Sequence, residues 1–231
     1  NEAPHGVNQT LWPSAASLNF IEAAFHHACS LFPSPTIHIG GATTDWAPWE
    51  SDSSLIRAGL TSGAAIERLF IDRALRTLHF HGRRAAAWDS LTKAYPTPPP
   101  GTTLLAYRPG NAGRRAAESS GAPWVLADAD ILILSHPGRT NSPLEPAHAL
   151  FDNLTHALRG ERLKGVEAVA WSSTVTTPDI LFYHLLPRLL VIAEAAWHGE
   201  DSLPWDKLAP LVEQEMAHLR RSVPYWNPQR P

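Results

Sequence analysis

Cysteine is almost absent from this 231-residue chain: Cys29 stands alone, so no internal disulfide can form. Methionine is equally scarce, with one copy at position 216. Charge of one sign is missing too. Nineteen basic and 22 acidic residues give a formal charge of -3 and are mixed along the chain, which leaves no extended basic surface for a nucleic acid. Long apolar runs are also lacking, and the best stretch, near Ile180 to Ala196, is interrupted by Pro187, Arg188 and Glu194. It falls short of the roughly 18 uncharged residues that mark a membrane-spanning helix, so no span is expected. The chain opens at Asn1 with neither an initiator Met nor a signal-peptide pattern, and the expectation is that upstream residues were removed or that a boundary was set there. Length and a 44% hydrophobic content fit one globular domain or a small pair.

What is present is a rhythm. Segments of helical period alternate with short β-branched or apolar runs, which predicts an α/β fold of repeated strand-helix units. Ser14 to Leu31 is expected as a helix, capped by Ser14, stopped by Pro33 and Pro35, with Leu18, Ile21, Ala24, Phe25, Ala28 and Leu31 on its buried face. Cys29 reads as a small buried residue of that helix. Thr36 to Ile39 is a strand running into Gly40-Gly41. Gly63 to Leu78 is a second helix, its buried stripe placed at Ile66, Leu69, Phe70, Arg73 and Leu78.

Further strands are expected at Arg84 to Trp88, Thr102 to Tyr107, Trp124 to Ala127 and Val166 to Trp171. Helices are expected at Asn111 to Ser120, Leu144 to Leu158, Pro178 to Trp197 and Leu203 to Arg221. Pro96 to Pro100 is a stiff loop inside the unit, because the rhythm continues across it. The expected organisation is one domain over residues 1–222 and an extended tail over 223–231.

Three segments carry a resemblance. Leu31-Phe-Pro-Ser-Pro-Thr-Ile-His-Ile-Gly-Gly41 resembles the fourth barrel strand of glycoside hydrolase family 20, the β-N-acetylhexosaminidases. Gly82-Arg-Arg-Ala-Ala-Ala-Trp-Asp89 resembles the fifth strand, and Gly165-Val-Glu-Ala-Val-Ala-Trp171 the eighth, followed by a helix through Leu186 to Trp197. The resemblance implies part of a TIM (β/α)8-type barrel, strands four to eight, with a C-terminal helix.

The resemblance also locates departures. Family members carry Asp-Glu after His-x-Gly-Gly, the Glu as general acid and base and the Asp orienting the substrate's 2-acetamido group; here those positions are Ala42 and Thr43. A general acid is worth about 100 to 10,000-fold in rate, and a threonine hydroxyl cannot supply it near neutral pH. Ser90 replaces the Glu after Trp-Asp, Ser172-Ser173 replaces the Glu after Trp171, and Ile133-Leu-Ser135 aligns with the family's Tyr-Leu-Asp. The substrate-contacting positions implied to remain are Trp88, Trp171, Tyr107, Asp89, Arg108 and His38, the last read as a support for the pocket.

Asp45, Glu50 and Asp52 follow the glycine turn, and Asp45 and Glu50 are the remote candidates for a relocated acid. The expectation is a solvated loop. His26-His27 and His79/His81 invite a metal reading, but no carboxylate or Cys is spaced to complete a tetrahedral set, so neither metal nor cofactor is expected. Ser172, Ser173, Asp89 and His136 lack the Gly-x-Ser-x-Gly surroundings of a nucleophile elbow. The sequons at Asn8 and Asn153 decide nothing.

The function expected is therefore a catalytically silent relative, a pseudoenzyme that binds an N-acetylhexosamine-type sugar or a partner. The alternatives are a glycosidase whose catalytic groups come from a partner chain or a relocated carboxylate, and a structural assembly subunit. Because the motifs begin at strand four, a companion chain in a hetero-oligomer, or a second copy, is expected to complete the barrel, since open strand edges expose unpaired backbone groups. A secreted or lysosomal location is what the family resemblance implies.

Overall fold

The computed structural model describes residues 10–42, 44–135, 144–172 and 175–222. The chain divides into two units: Asn1–Ala106 with Arg115–Pro123, and Tyr107–Arg114 with Trp124–Pro231.

The first unit begins with α1 (Ala15–Leu31) and β1 (Thr36–His38), continues through the short helices α2 (Ala47–Glu50) and α3 (Ser53–Arg57), and then forms α4 (Gly63–Phe80), β2 (Arg84–Trp88) and β3 (Thr103–Ala106). The β1–β2 and β2–β3 pairs are parallel, with Thr36 opposite Arg84 and Ala86 opposite Thr103. Parallel neighbours need long crossovers, and α4 supplies one. Ser14 caps α1 by accepting from the Ser17 N–H at 3.1 Å, as its position predicts.

Pleating sorts the strand residues. Ile37 and Ala85 point toward α1 and α4, where they form a core with Cys29 and Leu78, packed by Phe25, Ile39 and Leu75. His38 and Trp88 project from the opposite face.

The buried surface of the two long helices differs from the pattern read in the sequence. In α4 the buried positions are Gly63, Ile66, Glu67, Ile71, Ala74, Thr77 and Leu78, while Leu69 is 37% exposed and Phe70 and Arg73 are partly covered. In α1 only Cys29 is fully buried; Ala24 is exposed and Leu31 is 60% exposed. Periodicity fixes that a stripe exists, but the neighbour that covers it sets its rotation and width.

Gly63 opens α4 because nothing larger fits: a Cβ there would lie 2.3 Å from the Cβ of Trp46. Gly40 and Gly41 end β1 with φ of 84° and 75°, a left-handed region that side chains resist.

The second unit holds only the first residues of α5 (Ala112–Ser120), then β4 (Trp124–Leu126), α6 (Leu144–Ala157), β5 (Leu163–Val166), α7 (Pro178–Leu185), α8 (Arg188–His198) and α9 (Trp205–Ser222). Its core places Phe151 and Leu154 of α6 near α8, which buries Val191, Ile192 and Ala195. Two expectations are corrected here. The helix expected over Pro178 to Trp197 is two helices broken at Leu186–Pro187; Leu186 takes the extended conformation (φ -101°, ψ 140°) that a following proline favours.

The last strand is Leu163–Val166 and not Val166 to Trp171. Trp124 pairs with Leu163 and Leu126 with Val166, so β5 carries an extra residue, a bulge that advances the register. Val169 then makes a separate parallel bridge to Ile133, its N–H donating to Leu132 O at 2.9 Å. The 223–231 tail lies outside the described residues, as do Asn8, Thr43, His136 and Ser173.

Candidate functional site

In the first unit, β1 and β2 bring His38 and Trp88 together: their rings meet edge to face, centroids 5.0 Å apart. His38 Nδ1 accepts from the Gly40 N–H at 3.1 Å, which places the proton of the neutral ring on Nε2. An edge of the ring remains exposed, but the surrounding protein removes enough water to hold its pKa below the usual 6.5. The imidazole is thus a neutral, oriented group that braces the indole and the glycine turn.

Asp89 follows Trp88 into a 3-10 helix, Asp89–Lys93, where it is fully buried beside the buried Ser90. Trp88 itself is half-buried and receives the turn through its N–H, which donates to Gly40 O at 2.9 Å. Ala42, immediately after that turn, is exposed and carries only a methyl group.

The carboxylates after the glycine turn, Asp45 and Glu50 being exposed, are bound to backbone. Glu50 Oε1 accepts from the Gly63 N–H at 2.9 Å, where α4 begins. Asp52 caps α3, accepting from the Ser54 and Leu55 N–H groups at 2.8 and 3.0 Å, and these bonds hold its pKa below the ordinary carboxylate value, the Ser54 hydroxyl contributing most. Asp45 Oδ1 accepts from the Ala47 N–H at 3.0 Å at the start of α2. All three carboxylates therefore sit at helix starts, where unpaired N–H groups favour negative charge.

In the second unit, Tyr107 and Trp171 meet edge to face at 6.5 Å, Trp171 being 44% exposed. Tyr107 O accepts from the Ala129 N–H at 2.9 Å, and Arg108 O from the Gly113 N–H at 3.1 Å, so both residues are fixed through backbone. The Ile133-Leu-Ser135 segment is held by Arg188, whose Nη2 donates to Leu134 O at 2.7 Å and also to His184 O. Burial pulls the Arg188 pKa below its usual value.

Two acidic residues escaped the sequence reading. Asp128, just past the end of β4, is buried and accepts from the Asp130 N–H at 2.8 Å. Its signal is a carboxylate directly after an apolar strand. Glu67, buried on α4, accepts from the Thr44 hydroxyl at 2.8 Å and the Trp46 indole N–H at 2.9 Å. Nothing in its helical neighbourhood separates it from a solvent-facing Glu.

The histidines also pair differently from their sequence spacing. His26 of α1 meets His81 beyond α4, Nδ1 to Nε2 at 2.7 Å. No group of three His, Cys, Asp or Glu side chains suited to a metal occurs among the described residues.

Parallel strands joined by helices define the class: an α/β protein. The family model for the glycosyl hydrolase family 20 catalytic domain matches residues 4–200, and the chain belongs to that family. It is 24% identical over 226 residues to a β-N-acetylhexosaminidase of Cellulomonas fimi, covering 92% of this chain and 40% of that protein. A β-hexosaminidase of Akkermansia muciniphila is 22% identical over 209 residues, covering 81% and 41%.

Among solved structures, a β-N-acetylhexosaminidase superposes with a TM-score of 0.77 at 19% identity, covering 96% of this chain and 50% of that one. An exo-β-N-acetylglucosaminidase of Vibrio harveyi, solved with N-acetylglucosamine, gives 0.76 at 20% identity, covering 94% and 37%. The chain spans about two fifths of the length of the curated relatives it matches. The shared fold is an α/β architecture with parallel strands, and the chain corresponds to about half of that first structure.

Proposed function

We propose that this chain is a catalytically silent β-N-acetylhexosaminidase-like protein whose remaining role is binding, of a terminal N-acetylhexosamine-type sugar or of a protein partner, through residues at the C-terminal ends of its strands. The observation that carries the reading is the pair Ala42-Thr43 after His38-Ile-Gly-Gly41, where the family resemblance implies an acid and an orienting carboxylate. Substrate-assisted hydrolysis needs a proton donor within hydrogen-bond reach of the leaving oxygen, and neither side chain can serve. The aromatic groups Trp88, Tyr107 and Trp171 offer apolar faces of the kind that pack against sugar rings and acetamido methyl groups.

The glycosidase alternative requires a relocated carboxylate or one from a companion chain. Glu50 and Asp45 are each engaged with a backbone N–H at a helix start, and this engagement counts against either as the acid. The proposal of a companion chain or second copy rests on β1, which pairs with β2 along one edge.

The test is release of 4-nitrophenol from its N-acetylglucosaminide, after circular dichroism has established that the sample is folded. No release is expected from the chain, nor from the double variant Ala42→Asp/Thr43→Glu, because Ser90, Ile133 and Ser172 still lack the family's other polar groups. Turnover by the unmodified chain that disappears in Asp45→Asn or Glu50→Gln would overturn the silent reading and locate the acid.

A further inference from the structure

The first unit contains a cavity of about 450 Å³ beside the glycine turn, its lining including Gly41 and Ala42 but neither His38 nor Trp88. Its walls include Phe25 of α1, Ile39 beyond β1, Trp49 of α2 and Phe70 of α4, and its polar floor is Glu67 with Asp45. The volume falls within the range of small-molecule sites, which are apolar clefts with a few placed polar groups.

The electrostatics choose the kind of ligand. Glu67 is 6% exposed, and its two donors, the Thr44 hydroxyl and the Trp46 indole, take one carboxylate oxygen each. Each oxygen retains a further acceptor site. Among the described residues, the lining brings two carboxylates and no Lys, Arg or His. Two arginines of α4 are directed elsewhere: Arg68 donates to Ala94 O and lies over Tyr95, and Arg73 pairs with Glu22.

Trp49 and Phe70 stack at 5.8 Å with only 13° between their planes, and Trp49 is locked by its indole N–H on Leu11 O at 3.1 Å. Rigid aromatic faces beside a buried carboxylate attract an organic cation twice, by quadrupole and by charge. A neutral ligand of the same shape gains only the apolar contact, and an anion is repelled.

We propose that this cavity binds a small organic ammonium ion with an aromatic or hydrocarbon body, its charged head on Glu67 and its body against Phe25, Trp49 and Phe70. The cavity borders the sugar-type site at Gly41 and Ala42, but Ile39 faces the cavity whereas His38 stands on the other side of the same strand. Its occupancy does not depend on any hydrolytic activity.

The test is calorimetric titration of the full chain with benzylammonium and, in parallel, with benzyl alcohol as the neutral isostere. The ammonium is expected to bind at least tenfold tighter, and Glu67→Gln is expected to erase the difference while leaving the weak neutral binding. Equal affinities for the two probes, or no ammonium binding at millimolar concentration, would overturn the proposal. The two-probe comparison on the unmodified chain stands even if Glu67→Gln fails to fold. With a folded variant, an ammonium preference that persists would overturn the role given to Glu67.

Discussion

Gly63→Ala weighs two effects that usually point the same way. Alanine is favoured over glycine in a helix by about 1 kcal/mol, so the substitution would ordinarily stabilise α4. Here the new Cβ would sit 2.3 Å from Trp46 Cβ and 2.4 Å from its Cγ, inside any tolerable contact, so Trp46 must move. Overpacking of this kind costs about 1–3 kcal/mol. Moving Trp46 also breaks its indole bond to the buried Glu67, and hydrogen bonds to charged groups contribute about 1.5–3 kcal/mol. The penalties exceed the propensity gain, and a net loss of about 2–4 kcal/mol follows. Urea unfolding followed by tryptophan fluorescence reads it, the midpoint falling without a change of slope. A variant as stable as the parent, or more so, would refute the close packing of Gly63 on Trp46 and with it the bracing of Glu67.

Two further predictions concern protons. Tyr95 is raised to about 12, first by burial and then by its hydrogen bond to Asp72, so absorbance at 295 nm should show it ionising well after an ordinary tyrosine. Because the folded state keeps that proton longer than the unfolded chain, stability falls as pH rises from 10 to 12, and Tyr95→Phe flattens the fall. His38 is depressed by desolvation, so its contribution is complete above the unfolded value of 6.5 and is lost as pH falls through the folded value. Urea midpoints measured from pH 8 to pH 5 should drop less for His38→Gln than for the parent; an identical pH slope would remove His38 from the account.

Element types were legible because local chemistry announces them. Ser14 caps, the double glycine turn and the alanine-rich strand before Trp88 act within a few residues, and the structure places a helix start, a strand end and a strand there. The orientation of α4 was not legible, since Leu69 and Ile71 are equally apolar and only the position of the sheet and α1 decides which is covered. Pro187 was visible as an interruption of an apolar run, and the extended conformation it favours in Leu186 is what splits the helix. Trp88, Tyr107 and Trp171 were singled out through the family resemblance and not through strand pattern, and Trp171 lies beyond β5. Glu67 was not legible, because a buried and a solvated glutamate look alike until the donors of Thr44 and Trp46 are in place.

The carboxylates of the β1–β2 connection bear on how fast the chain folds. Thr36 and Arg84 become neighbours only after nearly fifty intervening residues have been gathered, and such distant contacts slow folding because closure entropy is lost before any contact is gained. Asp45, Asp52 and Glu50 each fasten a helix start by bonds spanning 2, 2 to 3, and 13 residues respectively. These short-range closures shorten the floppy path between the two strands before the strands meet. Replacing the residues that invite attention as possible acids is therefore expected to slow the pairing of β1 with β2, which refolding kinetics would read.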